Sequence, residues 1–141
     1  MLKNNLTTIE NQENQKFLEF KVKLSELKKF DICESVINRK FYYNQEIEKT
    51  QLRIKEINWI LSELEKGKSK ESILKVLVSK KDLFRKNLNI VNKEIESDLV
   101  FFLNTEDYDV DKIEKYQEKL ELQMVNQTGY NFILSLMKLW D

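Results

Sequence analysis

Apolar residues return every three to four positions along most of this chain, and the longest such run is Ile32 to Lys66. Read in sevens, its first line is Cys33, Lys40, Ile47, Ile54 and Leu61, and its second is Val36, Tyr43, Thr50, Ile57 and Leu64. That spacing is the seam of one long helix lying along another. At about 1.5 Å per residue the rod runs roughly 50 Å, longer than a compact domain of this size is wide, so other segments have to lie beside it. Its second half also carries Leu52 and Trp59 on another line. Helices packing on both sides account for that second apolar face. The functional alternative is an exposed patch around Trp59 that binds a partner.

Upstream, Phe17, Phe20, Leu24 and Leu27 mark a helical face, although Leu18, Phe20, Val22 and Leu24 also alternate with charged residues as a strand would. Helix is the expectation, because no partner strand is evident and Lys, Glu and Leu are good helix formers. Thr7 and Glu10 have capping-box spacing and put the helix start near residue 8. Lys28 to Asp31 reads as a boundary, with Asp31 and Glu34 suiting the next N-terminus. Gly67 stands where a left-handed residue stops a helix, and Ser69 where a cap starts one.

A second seven-residue pattern follows: Leu74, Lys81, Leu88, Ile95 and Phe102 on one line, Leu77, Phe84 and Val91 on the other, with Asp98 breaking the series. Ser79 and Asp82 again have cap spacing, a second place for a helix to stop. Val100 to Leu103 is apolar on all sides and needs cover. Asn104 to Asp109 reads as a polar turn. Ile113, Tyr116, Leu120, Met124, Tyr130, Leu134 and Met137 then stripe a fourth helix, interrupted at Gln127-Thr128-Gly129. The expected fold is all-α: one domain over 1–141, an antiparallel bundle of about four long helices near 8–29, 32–66, 70–103 and 109–140 with coiled-coil-like packing.

Composition supports this reading. There is no proline and there are only two glycines, Gly67 and Gly129, so few turns are available. Lys plus Arg and Asp plus Glu number 24 each, giving zero net charge and no global pull toward polyanions. Cys33 is the single cysteine; on the seam it is expected to be buried and structural, and the lack of a partner thiol suits a reducing, cytoplasmic setting. No apolar run is long enough for a membrane span, and Met1 to Gln15 lacks the apolar core of a secretion signal.

Candidate chemistry is thin. The chain has no histidine, which removes the commonest general base and metal ligand and the His-activated nucleophiles. Neither glycine belongs to a phosphate-cradling loop. Asp107, Asp109, Asp111 and Glu118 match positions 1, 3, 5 and 12 of a calcium loop, but Lys112 stands where that loop needs glycine. Acid at a helix N-terminus is the expected role. No catalytic residue, metal ligand, cofactor or small-molecule substrate is assigned, and a non-enzymatic protein is expected.

Charge distribution says more. Lys66, Lys68, Lys70, Lys75, Lys80, Lys81, Arg85, Lys86 and Lys93 face only two acids, Glu71 and Asp82, in that stretch. From Glu94 to Glu121 the balance reverses, with Lys112, Lys115 and Lys119 the only bases. If the third and fourth helices run antiparallel, these segments partly neutralise one another. Three functional expectations follow. The first is a helical protein–protein interaction module (adaptor, chaperone-like, inhibitory or small assembly subunit) using Trp59, Leu52, Phe101, Phe132, Leu136 and Trp140, on a protein partner or a second copy. The second is nucleic-acid binding through Lys66, Lys68, Lys70, Lys80, Lys81, Arg85 and Lys86. The third is inhibition of a nucleic-acid enzyme, with Glu106, Asp107, Asp109 and Asp111 as a phosphate mimic.

Overall fold

The computed structural model describes residues 1–30, 32–106 and 109–140. It is all-α, with four long helices in chain order: α1 (Leu2–Leu27), α2 (Glu34–Glu65), α3 (Lys70–Leu103) and α4 (Val110–Met137). A single 3₁₀ turn, Lys138–Trp140, follows α4. No strand occurs among the described residues. The helices pair as two antiparallel hairpins, α1 with α2 and α3 with α4. The chain divides into two compact units, Met1–Ile73 with the residues from Leu139, and Leu74–Lys138.

In the first unit the register is set by two contacts. Phe20 lies against Tyr43, with ring centroids 6.1 Å apart, and Glu13 reaches Arg53 at 3.5 Å. Leu6, Thr50, Ile57 and Ile60 are sealed from solvent. Helix α1 starts at Leu2, earlier than the capping box implies. Thr7 Oγ1 donates to the Lys3 carbonyl at 2.9 Å, so Thr7 is a mid-helix hydroxyl rather than a cap. Burial overrides the cap here: Leu2 and Leu6, one turn apart, are both in the core and hold the first turn down. Leu18 and Val22 remain exposed, as the helical face of Phe17, Phe20, Leu24 and Leu27 requires and an alternating strand does not.

The connection at Gly67 behaves as read from sequence. Its φ is +82°, Lys68 N–H donates to the Glu63 carbonyl and Gly67 N–H to that of Leu64. These two bonds satisfy carbonyls that the helix end would otherwise leave open. Ser69 then caps α3 by accepting from Ser72 N–H at 3.1 Å. Helix α3 runs unbroken through Ser79 and Asp82. Asp31 and Asp107, expected near helix starts, lie outside the described residues.

Cys33 is a correction. It is exposed, because α2 begins one residue later and Cys33 sits in extended backbone ahead of the seam.

Glu13 is 6 % exposed although charged. Lys16 and Arg53 each approach it at 3.5 Å, yet its Oε2 accepts no hydrogen bond. Charge rather than good hydrogen-bond geometry therefore holds this pair. Replacing Arg53 with methionine leaves a buried carboxylate short of a counter-ion, and is expected to cost about 2 kcal/mol, below the range for fully buried pairs because Arg53 is partly wet. Glu13→Leu combined with Arg53→Met should recover most of that loss in urea unfolding.

Candidate functional site

The second unit is built on four cross-helix contacts between α3 and α4. The Phe84 ring lies on the α4 backbone at Gly129, where an added Cβ would come within 2.6–2.8 Å of three ring atoms. Gln123 Nε2 donates to Asn92 Oδ1 at 2.7 Å. Lys119 Nζ donates to Asp98 Oδ2, also at 2.7 Å. Phe102 meets Tyr116 edge-on, ring centroids 5.6 Å apart. Seam residues Leu88, Val91 and Ile95 of α3 are buried between these contacts, and Leu77 is buried ahead of them. Asp98, which broke the apolar series, is there to meet Lys119.

Two expectations change as a result. The inward line of α4 runs through Lys119, Gln123, Asn126, Gly129, Ile133 and Leu136, so Leu120 is 38 % exposed instead of buried. The charge segments also do not lie opposite each other along the hairpin. Because Asp98 meets Lys119, the acidic stretch Glu94 to Glu121 folds back on itself around the α3–α4 turn. The basic part of α3 lies farther along, opposite the uncharged Gln123-to-Gly129 stretch of α4.

That basic part forms a shallow groove of about 370 Å³ on α3, lined by Asp82, Arg85, Lys86, Asn89, Ile90 and Lys93. Arg85 and Lys86 are exposed; Lys81 sits 3.8 Å from Asp82. Lys80 is half-buried. Lys66, Lys68 and Lys70 are exposed in the first unit, Lys66 within 3.4 Å of Glu63. Of the seven basic residues expected to meet nucleic acid, Lys66, Lys68 and Lys70 belong to the first unit and Lys80, Lys81, Arg85 and Lys86 to the second. Of the acidic candidates, Asp109 caps α4 by accepting from Asp111 N–H at 3.0 Å. Glu106 and Asp111 are exposed. Residues 110–118 are helical, so the stretch cannot wrap a cation as a calcium loop does.

The residues expected to meet a protein partner fare unequally. Leu136 is 1 % exposed and belongs to the core. Leu52, Trp59 and Phe132 are half-buried. Trp140 donates its indole N–H to the Lys70 carbonyl at 2.8 Å, fastening the end of the chain to the start of α3. Phe101 is 40 % exposed, with the Lys112 ammonium 3.8 Å above its ring. The expected cover over Val100 to Leu103 is partial: Phe102 is half-buried against Tyr116, whereas Val100 and Leu103 are 59 % and 84 % exposed.

A second group of exposed apolar residues lies at the turn end of the α1–α2 hairpin. Phe30, Ile32, Ile37, Phe41 and Tyr42 are each more than half exposed, and Val22 on α1 lies level with Phe41 in the Phe20–Tyr43 register. Sequence reading passed over these residues, although a signal was there. Ile37 and Phe41 are one turn apart and off both seam lines, as Leu18 and Val22 are off the face of Phe17 and Phe20. No helix among the described residues is long and apolar enough to cross a membrane. No protein-family model, curated protein or solved structure matches the chain.

Proposed function

We propose that this chain is a non-enzymatic helical interaction module that binds a protein partner, or a second copy of itself, through the turn end of its first hairpin. The observation that carries the reading is the outward group Phe30, Ile32, Ile37 and Phe41. Single exposed apolar residues are ordinary, whereas several large ones gathered at one end of a hairpin are the mark of a recognition surface. Ile37 and Phe41 at one-turn spacing are the anchor pattern of helix-on-helix recognition. The lysines and arginine around them (Lys28, Lys29, Arg39) give that surface a polar rim, as interfaces have.

The test is light scattering of the purified chain across concentration, together with affinity capture from its native host. Self-association or a captured partner that is lost in Ile37→Glu with Phe41→Glu supports the reading. A strictly monomeric protein with no partner, or a partner indifferent to those substitutions, contradicts it.

The α3 groove favours a second reading, nucleic-acid binding, since Arg85, Lys86 and Lys93 line one face. Asp82 in the same groove and the lack of any ring on which a base would stack count against it. Binding that falls steeply with salt and is abolished by reversing Lys81, Arg85 and Lys86 would favour it over the first; salt-insensitive or absent binding removes it.

A further inference from the structure

Near the α3–α4 turn the three lysines of the acidic segment come together. Lys112, Lys115 and Lys119 stand on one stripe of α4 and line a pocket of about 370 Å³ with Ser97, Asp98, Phe101 and Phe102 of α3. Three ammonium groups against one carboxylate leave the pocket two positive charges in excess. The Lys119 ammonium is fixed by Asp98 at 2.7 Å, and the Lys112 ammonium stands over the Phe101 ring. The hydrogen bond to Asp98, then the charges of Asp98 and Glu94, hold the Lys119 pKa above its ordinary value against partial desolvation. All the lining residues belong to the second unit.

We propose that this pocket binds a small organic anion with an aromatic body. Its acidic group, a carboxylate, sulfonate or phosphate, is received by Lys112 and Lys115, and its ring packs on Phe101 and Phe102. The volume falls at the low end of small-molecule sites, and the lining sets two phenylalanine rings beside three lysines, a serine and an aspartate, which suits a charged ligand with one ring. The surroundings choose small over large. A polyanion such as RNA lying across the pocket would run past Glu94, Glu106, Asp109, Asp111, Glu114 and Glu118. A compact ligand meets the lysines and avoids those acids. The occupant is independent of the protein partner proposed above, so either idea survives the failure of the other.

The test uses the full chain, isotopically labelled for NMR, titrated with 1-naphthalenesulfonate, with inorganic phosphate and naphthalene-1-methanol as comparison probes. The expected result is saturable shifts confined to Ser97–Phe102 and Lys112–Lys119. Phosphate and the neutral alcohol should both bind more weakly than the sulfonate. Lys112→Gln with Lys115→Gln should weaken sulfonate binding about 10-fold, and Asp98→Asn, which releases Lys119, should strengthen it severalfold, each charge contact at a partly wet site being worth up to about 5-fold. Lys55→Gln, exposed on α2 and outside both the pocket and the α3 groove, should change nothing. Unsaturable or scattered shifts, equal affinity for the neutral alcohol, or a double lysine variant that is folded by circular dichroism and binds as the parent does would overturn the proposal.

Discussion

Ile57→Ala is expected to lower unfolding free energy by about 3–4 kcal/mol, the largest single effect of any substitution considered, because the removed methyl groups leave a cavity that solvent does not reach. Ile57 is fully buried, with Ile60 beside it on α2 equally sealed. The neighbouring seam line behaves differently. Ile47, Ile54 and Leu61 are only half-buried. Ile54→Ala should therefore cost clearly less, about 1–2 kcal/mol, in proportion to the apolar area it keeps from water. Urea unfolding of the two variants gives the order directly. Equal losses would mean that both lines of the α2 seam are packed alike, contrary to the structure.

Gly129→Val comes second, at about 3 kcal/mol of destabilisation, near the upper end of overpacking effects. The sign matters here, because in an open helix replacing glycine is favourable. Gly129→Ala by itself should gain about 1 kcal/mol in helix propensity, and the Phe84 ring, which holds the three nearest atoms, stands against that gain. In a Phe84→Ala background the same Gly129→Ala change should turn stabilising. A double-mutant cycle in chemical denaturation isolates this coupling. If Gly129→Ala is equally stabilising with Phe84 present, the ring does not rest on the helix backbone.

Gly129 also shows where sequence patterns guide and where they mislead. Helix periodicity located all four rods, and Gly67 and Ser69 marked their junction correctly, since the backbone needs of a left-handed stop and a hydroxyl cap are local. The face that α4 turns inward is a different matter. Apolar counting favours Leu120 and Met124, reads Asp98 and Gly129 as interruptions, and gives Asn92 and Gln123 no role. Each of these four is answered on the facing helix: Asp98 by Lys119, Asn92 by Gln123, Gly129 by Phe84. A pairing between residues more than twenty positions apart leaves no periodic trace in a single sequence. The same holds for Thr7 and Glu10, whose spacing announces a cap while Leu2 and Leu6 carry the helix past it.

The proposed surfaces are legible in another sense. The spacing of Ile37 with Phe41, and of Lys112 with Lys115 and Lys119, places each set on one helical face. What no spacing reveals is whether a neighbouring helix covers that face. Trp59 and Leu136 illustrate the difficulty from the opposite side. Both read as partner-binding residues, and the fold half-buries the first and wholly buries the second. Side-chain size and helical phase identify a sticky face, and only the tertiary arrangement says which sticky faces remain outside.

The chain's single thiol offers the most direct test of the proposed role. Cys33 is exposed and lies between Ile32 and the first turn of α2, within the surface suggested to meet a partner. A benzophenone maleimide attached there, with a Cys33→Ser, Asn14→Cys chain carrying the same label on the exposed polar stretch Asn14-Gln15-Lys16 of α1 as the comparison, reports what each surface touches on illumination in extract of the native host. Discrete protein adducts from residue 33, to one partner or to a second copy, and none of comparable yield from residue 14, are the outcome anticipated. No adduct from residue 33, or the same adducts from both positions, would contradict recognition through the end of the first hairpin.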